Sequence, residues 1–268
     1  MPFSSQSGRL AADVSGATDV SGAAGSHRIV LVHGFTQTGR CLGPMADDLA
    51  RDHEVVLPDA PGHGGSVDHA GAGLWRGADL LAATGGRATY VGYSMGARLC
   101  LHLALAHPDL VERLVLIGAT AGISDDEERA VRRRRDHDLA DRIEKVGVSV
   151  FLAEWLAQPM FAALPPEAVF DEERHRNTAA GLAASLRNAG TGSMDPLWTR
   201  LGEITAPVLA VAGSDDGAFV ERSRAVAAAV SGSARTVDGA GHAAHLEAPT
   251  ATIALIRAFL GASPPHDA

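Results

Sequence analysis

Short runs of consecutive apolar residues alternate along the chain with longer stretches in which apolar residues recur every three or four positions. The apolar runs lie at residues 27–33, 55–57, 88–91, 114–117, 207–212 and 235–237. Runs of this length are typical of strands that are buried on both faces of a parallel sheet. The stretches between them predict helices that begin near residue 44 and span residues 74–83, 98–107, 219–230 and 249–260. Strands that alternate with helices predict an α/β fold with a doubly wound, mostly parallel sheet.

The alternation stops between residues 121 and 198, where the pattern is helical and charged and contains no convincing strand. This interruption predicts a helical cap over residues 121–198, inserted into an α/β core formed by residues 27–120 and 199–262. In open parallel sheets, ligands bind outside the carboxyl ends of the strands. We therefore expect the cap to lie over that end of the sheet.

The first 26 residues consist mainly of Ser, Gly, Ala and Asp and carry few large apolar side chains. Such a segment cannot bury enough surface to offset its loss of conformational entropy, so we predict that residues 1–26 are mostly disordered. An edge strand at residues 10–14 is the alternative within this segment.

The composition is that of an ordinary globular protein, with 46% hydrophobic and 21% charged residues among 268. The formal net charge of −9 argues against nucleic acid or an anionic membrane as the main partner. Only Cys41 and Cys100 are present, which implies neither a disulfide framework nor a metal site built from cysteines. We find no apolar run of membrane-spanning length and no secretory signal pattern. We therefore expect a cytoplasmic protein without membrane insertion.

The sequence Gly92-Tyr93-Ser94-Met95-Gly96 stands between an apolar run and a helical stretch. In a strand-to-helix turn, glycines two positions before and after a serine let segments of backbone pass close together. The serine hydroxyl is then exposed at the tip of the turn. We predict that Ser94 is the nucleophile or base of such an elbow; the alternative is a glycine-rich turn with a solvated serine.

A serine hydroxyl needs a histidine to accept its proton and a carboxylate to orient that histidine. We favour His242, which follows the last short strand, over His245, which lies nearer the final helix. For the carboxylate we favour Asp216, three residues after the glycine that ends the preceding strand, over Asp215. The chain order Ser94, Asp216, His242 is that of the α/β-hydrolases.

Two backbone N–H groups are candidates for stabilising negative charge on a substrate oxygen. Met95 directly follows the serine, and Phe35 follows the first core strand in the sequence His33-Gly34-Phe35. A glycine at position 34 lets this loop approach the site closely. We expect His33 itself to be structural and to bond to nearby backbone.

Arg98 lies four residues after Ser94, one turn along the same helix face. A cation near a helix N-terminus gains nothing from the helix dipole, so Arg98 needs an anion. That anion is either a protein carboxylate or a substrate carboxylate, and the sequence leaves both open. The cap adds Arg129 and the run 132–135, but successive helical residues diverge by about 100°, so only one or two of the run can face a pocket.

These motifs resemble the α/β-hydrolase family, through VHGF at 32–35, GYSMG at 92–96, GSDD at 213–216 and GAGH at 239–242. More narrowly, the chain resembles the 2-succinyl-6-hydroxy-2,4-cyclohexadiene-1-carboxylate synthases of menaquinone biosynthesis. The narrower resemblance rests on the Ser94-to-Arg98 spacing and on PGHGGS at 61–66, EWLAQPMFAAL at 154–164 and GLAASLRNAGTGSMDPLW at 181–198. It extends from about residue 28 to residue 260.

This resemblance implies a small substrate with several carboxylates that arginines bind. The family's arginines fall on Arg98, on Arg132 in the first cap helix and on Arg176 after the QPMFA segment. Trp155 and Tyr93 also stand where the family places substrate-binding residues. No metal and no organic cofactor is implied.

The implied reaction is an elimination. Ser94, activated by His242 and Asp216, removes a carbon-bound proton beside a carbonyl, and pyruvate leaves. A hydrolase that cleaves carboxylic esters or carbon–carbon bonds through an acyl-enzyme on Ser94 is the first alternative, because the same three residues serve it. A binding protein on a hydrolase scaffold is the second. We expect a monomer or a small homo-oligomer.

Overall fold

The computed structural model describes residues 8–16 and 28–261. Its strands are β1 (Ala12–Gly16), β2 (Arg28–Val32), β3 (Glu54–Pro58), β4 (Ala88–Tyr93), β5 (Val111–Ile117), β6 (Val208–Gly213) and β7 (Ser233–Val237). Its α-helices are α1 (Gly43–Leu49), α2 (Leu74–Gly85), α3 (Met95–Ala106), α4 (Asp126–Leu156), α5 (Asp171–Arg174), α6 (Ala179–Ala189), α7 (Gly217–Ala229), α8 (Ala244–Glu247) and α9 (Pro249–Gly261). Short 3-10 helices lie at Gly39–Leu42, Gly64–His69, Pro108–Leu110, Pro159–Phe161, Pro166–Ala168, Thr191–Ser193 and Leu201–Glu203.

The strands form one sheet in the order β1-β3-β2-β4-β5-β6-β7. Every neighbouring pair is parallel except β1 with β3, which is antiparallel. Helices α2 and α3 contribute to the core on one face of the sheet, and α1 and α9 contribute to the core on the other. The predicted α/β fold with a doubly wound, mostly parallel sheet is confirmed.

Burial on both faces explains why the central strands are apolar along their whole length. Every residue of β4 and β6 is buried. Neighbouring residues belong to opposite cores, since Tyr90 packs with the α2–α3 side and Val91 with the α1–α9 side. A strand between two layers of helices has no solvent face that would favour polar residues.

Strand β1 departs from the disorder expected for residues 1–26; residues 1–7 and 17–26 lie outside the described part of the chain. All five side chains of β1 are exposed, yet its backbone pairs with β3 from Ala12 to Gly16. An ion pair between Asp13 and Arg40, at 2.7 Å, adds a side-chain contact. The structure therefore supports the alternative of an edge strand near residues 10–14, with the strand at residues 12–16, because an edge strand can be held by backbone hydrogen bonds without burying its own side chains.

Residues 118–207, all of which the structure describes, contain helices and loops but no strand. We call residues 121–198 the insertion. Its longest helix, α4, is broken at Gly147, where φ is 78° and ψ is 170°, a conformation that glycine adopts without steric cost. The two halves of α4 and helix α6 enclose a small core of their own, formed by Ala140, Ile143, Phe151, Leu182, Ala183 and Leu186.

The insertion and the carboxyl ends of the strands meet at a single cavity. Residues that follow β2, β4, β5, β6 and β7 line it, together with residues from α4 and α6. Ligand sites of open parallel sheets lie at this end. Within residues 8–16 and 28–261, no helix is both long enough and apolar enough to cross a membrane.

Candidate active site

The turn between β4 and α3 carries Ser94 in a strained conformation, with φ 51° and ψ −104°. The two flanking glycines make this turn possible. A Cβ added at Gly92 would lie 2.6 Å from the backbone nitrogen of Ala97, and one at Gly96 would lie 2.1 Å from the carbonyl oxygen of Val32. Only glycine lets the three segments approach this closely. The geometry is that of the elbow predicted from the sequence.

Ser94 lies beside His242 and Asp216. The Ser94 Oγ is 3.1 Å from His242 Nε2, and His242 Nδ1 is 2.8 Å from Asp216 Oδ2. With Nδ1–H donating to the carboxylate, Nε2 is left as the acceptor for the serine proton. The arrangement supports proton removal from the serine, because the carboxylate also stabilises the imidazolium that would form.

The two alternative residues lie apart from this chain of hydrogen bonds. Asp215 is exposed, and its carboxylate accepts a hydrogen bond from the Ser214 hydroxyl at 3.0 Å. His245 is buried against Tyr93, with ring centroids 4.2 Å apart. Burial lowers the pKa of His245 to about 3, so its ring stays neutral at physiological pH. The structure therefore brings Asp216 and His242 to Ser94, and not Asp215 or His245.

Three neighbours restrict the His242 ring. The Phe219 ring lies 4.5 Å and the Tyr93 ring 5.5 Å from it, measured between centroids. On a third side, a Cβ added at Gly118 would lie 3.0 Å from His242 Cε1. The imidazole is held by packing as well as by its carboxylate partner, which reduces the rotamers it can adopt.

Phe35 and Met95 line the cavity beside Ser94. Met95 is the first residue of α3, so its N–H has no acceptor within the helix and lies at the positive end of the helix dipole. Phe35 lies in the loop after β2, where the Gly34 N–H donates to Gln37 Oε1 at 2.9 Å. His33 behaves as expected of a structural residue, since its Nε2 accepts from the Ala60 N–H at 2.9 Å.

Residues of the insertion hold this loop from the other side. Thr36 has a φ of 68°, which is unfavourable for a β-branched residue. The Asn177 side-chain amide donates to the Thr36 and Arg174 carbonyl oxygens, both at 2.9 Å, and its oxygen accepts from the Gly64 N–H at 3.0 Å. Arg174 Nη1 donates to the Thr36 hydroxyl. These bonds join the loop after β2 to the insertion.

The cavity has a volume of about 550 Å³, which suits a small molecule. Part of its wall is apolar, formed by Phe35, Ile123, Trp155, Met160, Phe161, Leu164 and Leu186. Four arginines also line it, namely Arg98, Arg132, Arg174 and Arg222. Two carboxylates, Asp125 and Glu128, line it as well, so arginines outnumber carboxylates by four to two. A cavity with this lining is suited to a ligand that carries negative charge on a carbon skeleton.

Arg98 is 8% exposed, and its Nη1 donates to the Ala189 carbonyl oxygen at 2.6 Å. Among the described residues, no carboxylate lies within ion-pair distance of its guanidinium. Burial, with the nearby charge of Arg132, lowers the pKa of Arg98 to about 10, so it remains protonated at neutral pH. Asp136 acts on Arg98 only electrostatically and is bonded to Arg132, so among the described residues no protein carboxylate pairs directly with Arg98.

The other predicted arginines divide into one that lines the cavity and one that does not. Arg132 lines it, and its Nε donates to Asp136 Oδ1 at 2.7 Å. Arg176 lies outside the cavity and pairs with Glu173 at 2.8 Å. Two residues earlier, Arg174 is buried and lines the cavity, so the position assigned to Arg176 is corrected to Arg174. Arg174 is the last residue of α5 and is buried, whereas Arg176 lies in the turn that follows the helix and is exposed, so the two side chains have different surroundings.

A profile of proteins described as the alpha/beta hydrolase family matches residues 29–255. The chain belongs to the alpha/beta hydrolase family. The match begins in β2 and ends in α9, so it includes the insertion and Ser94, Asp216 and His242 but not β1. It confirms the family resemblance drawn from the sequence motifs.

Individual relatives narrow the likeness within the alpha/beta hydrolases. A 2-succinyl-6-hydroxy-2,4-cyclohexadiene-1-carboxylate synthase of Klebsiella pneumoniae is 30% identical over 249 residues, which is 90% of this chain and 96% of the relative. A Bacillus subtilis protein that carries the same enzyme name provisionally is 32% identical over 253 residues, covering 88% of this chain and 90% of that protein. The solved structure of MenH from S. aureus superposes with a TM-score of 0.83 at 26% identity, over 93% of this chain and 97% of the other.

Sequence reasoning missed several residues of this alpha/beta hydrolase site. Phe219 and Arg222 of α7 line the cavity, and their nearness to Asp216 along the chain was a usable signal. Asn177 gave no signal, because the partners that give it a role at the site, Gly64 and Thr36, lie more than 110 residues away along the chain. Glu247 accepts hydrogen bonds from the N–H groups on both sides of His242, at 2.6 and 2.9 Å. Among the described residues, no group of three or more His, Cys, Asp or Glu side chains could hold a metal ion.

Proposed function

We propose that this protein eliminates pyruvate from a succinyl-enolpyruvyl-hydroxycyclohexene-carboxylate precursor. The product is 2-succinyl-6-hydroxy-2,4-cyclohexadiene-1-carboxylate, an intermediate of menaquinone biosynthesis. One observation carries the proposal: the Ser94–His242–Asp216 set opens into the same cavity as four arginines. A simple ester hydrolase needs the serine, histidine and aspartate but not the four arginines. The names of the relatives at 30–32% identity support the same reaction.

Ser94 acts as the base, with His242 taking up its proton. Asp216 keeps the Nδ1–H tautomer of His242, so that Nε2 accepts the serine proton while Ser94 removes a proton from the carbon beside the substrate carbonyl. The electron pair of that C–H bond first forms an enolate with the adjacent carbonyl. As the enolate collapses, a new ring double bond forms at the deprotonated carbon, the existing ring double bond moves by one position, and the C–O bond to the enolpyruvyl group breaks. The leaving enolpyruvate takes the proton held by His242 and becomes pyruvate by tautomerisation, so the reaction involves no net oxidation or reduction.

The Phe35 and Met95 N–H groups stabilise the negative charge that develops on the carbonyl oxygen as the proton leaves. An enolate oxygen carries this charge much as a tetrahedral oxyanion does. Because both donors are backbone groups of fixed elements, they need little reorganisation during the reaction. Asn177 and Arg174 support this role through Thr36, the residue after Phe35.

Arg98, Arg132 and Arg174 bind the substrate carboxylates and hold the ring in reacting geometry. Trp155 lines the cavity, and its indole N–H is buried without a hydrogen-bond partner among the described residues. An unpaired buried donor costs free energy, which an acceptor on the substrate would offset. Burial raises the pKa of Tyr93, so its hydroxyl stays protonated and can donate as well. The insertion thereby acts as the cap that completes the site.

The test is pyruvate release by the purified protein, followed through NADH oxidation by lactate dehydrogenase. We expect turnover by the wild type and a loss of about 100- to 10,000-fold in Ser94→Ala, the range for removing a general base. A circular dichroism melt checks that the variant is folded. If the folded wild type releases no pyruvate but cleaves a simple ester in a burst that requires Ser94, the protein is a hydrolase.

We also propose, from the sequence, that the protein is cytoplasmic and is a monomer or small homo-oligomer. Cell fractionation tests its location. Size-exclusion chromatography with light scattering measures its mass against the 27.6 kDa of one chain.

A further inference from the structure

Arg222 occupies the α7 side of the cavity. Its guanidinium carbon lies 4.6 Å from the centroid of the Phe219 ring, and the Phe219 ring lies 4.5 Å from the His242 ring. Both Phe219 and Arg222 line the cavity, and the Arg222 side chain is exposed. Arg222 is therefore separated from the reacting histidine by a single aromatic ring.

The other cavity arginines use part of their hydrogen-bonding capacity on the protein. Arg98 donates to Ala189, Arg132 to Asp136, and Arg174 to Val169 and Thr36. In the part of the chain that the structure describes, Arg222 makes no comparable bond and has the Phe219 ring as its partner. A cation over an aromatic face is held in place without using its N–H donors.

In the part of the chain that the structure describes, no carboxylate forms an ion pair with Arg222. Asp125 and Glu128 line the same cavity, but neither lies within ion-pair distance of Arg222. Glu221, its neighbour on α7, pairs instead with Arg224 at 2.7 Å. Arg222 thus presents all five of its N–H donors and an uncompensated charge at the opening of the cavity.

We propose that Arg222 is a specificity-determining residue that binds a substrate carboxylate at the opening of the cavity, on the His242 side. The inference rests on the proposed pyruvate elimination, whose substrate carries three carboxylates. Because Arg222 lies beyond Phe219, it does not touch the carbon that loses its proton. Its contribution is equal in the bound substrate and the transition state, so it acts on KM rather than on kcat.

The test compares Arg222→Leu with Arg224→Leu in the pyruvate-release assay. Both arginines are exposed on α7, but Arg224 pairs with Glu221 and does not line the cavity. We expect Arg222→Leu to raise KM about five- to tenfold with kcat unchanged, and Arg224→Leu to match the wild type. Arg222→Lys should have a KM between those of the wild type and Arg222→Leu, since lysine keeps the charge but lacks the planar guanidinium with its paired N–H donors.

Salt provides a second readout. The wild-type KM should rise with added sodium chloride more steeply than the KM of Arg222→Leu, because an exposed ion pair is screened. If the KM of Arg222→Leu lies within twofold of the KM of Arg224→Leu, the inference is overturned. A fall in kcat at constant KM overturns it as well, because it would mean that Arg222 acts on His242 through Phe219. Absence of pyruvate release by the wild type would instead refute the proposed function.

Discussion

Replacing Arg98 by methionine separates the electrostatic role of this residue from its structural one. Methionine keeps an unbranched side chain of similar reach and removes the charge and all five N–H donors. In the wild type one donor is bonded to the Ala189 carbonyl oxygen, and the remaining donors are available to the cavity that Arg98 lines. Arg98→Met therefore affects both substrate binding and folding stability, by amounts that can be worked out separately.

The effect on activity follows from the loss of charge-assisted hydrogen bonds to a carboxylate. Such bonds contribute about 1.5–3 kcal/mol, so kcat/KM for the tricarboxylate substrate should fall by roughly 10- to 150-fold. The effect on stability is smaller, because two contributions oppose each other. Burial lowers the pKa of Arg98 to about 10, and relieving that burial contributes about 3 kcal/mol, while leaving the Ala189 oxygen unpaired costs about 1–3 kcal/mol.

The assay is pyruvate release for kcat/KM, with thermal unfolding by circular dichroism for stability. Arg187→Met is a matched control, since Arg187 lies on α6 near Ala189 but pairs with Asp141 and Glu144 and does not line the cavity. We expect Arg98→Met to lose activity while its melting temperature stays within a few degrees of the wild type. Unchanged kcat/KM in the folded variant would refute the assignment of Arg98 to a substrate carboxylate.

Three further outcomes follow from the structure. Gly96→Ala should lower the free energy of unfolding by about 3 kcal/mol or more, because the added Cβ would lie 2.1 Å from the Val32 carbonyl oxygen. The control Gly43→Ala has open space around the added Cβ and should be neutral or stabilising. Urea titrations measure both variants. The free energy of unfolding should fall by up to about 1.4 kcal/mol per pH unit for each buried histidine as pH drops from 6.5 towards 4, because the unfolded chain then binds protons that the folded chain excludes. The histidines concerned are His33 and His102, whose pKa values burial lowers to about 4, and His63 and His245, whose pKa values it lowers to about 3. Urea midpoints measured from pH 7 to pH 5 test this decline, and midpoints that stay constant would contradict it. Asn177→Asp should lower kcat more than it raises KM, because a carboxylate cannot donate to the Thr36 carbonyl beside Phe35; a change in KM alone would count against this positioning role.

The apolar runs and the glycine spacing were sufficient to predict strands β2 to β7, the elbow and the chain order of Ser94, Asp216 and His242. These features depend on short-range rules. A strand buried on both faces must be apolar along its length, and a tight turn requires glycine wherever a Cβ would collide with backbone. Within the described residues, the predicted strands and helices therefore appear with ends shifted by only a few positions.

What depends on contacts between distant segments was decided by the tertiary structure alone. Strand β1 exists because β3 offers a free edge, which its own composition does not reveal. The arginine that reaches the cavity after the QPMFA segment is Arg174 and not Arg176, because the direction of a side chain depends on how its short helix packs. Likewise, the partner of Arg98 is a carbonyl 91 residues away along the chain. Sequence spacing indicates which face of a helix a residue occupies, but only packing decides what that face meets.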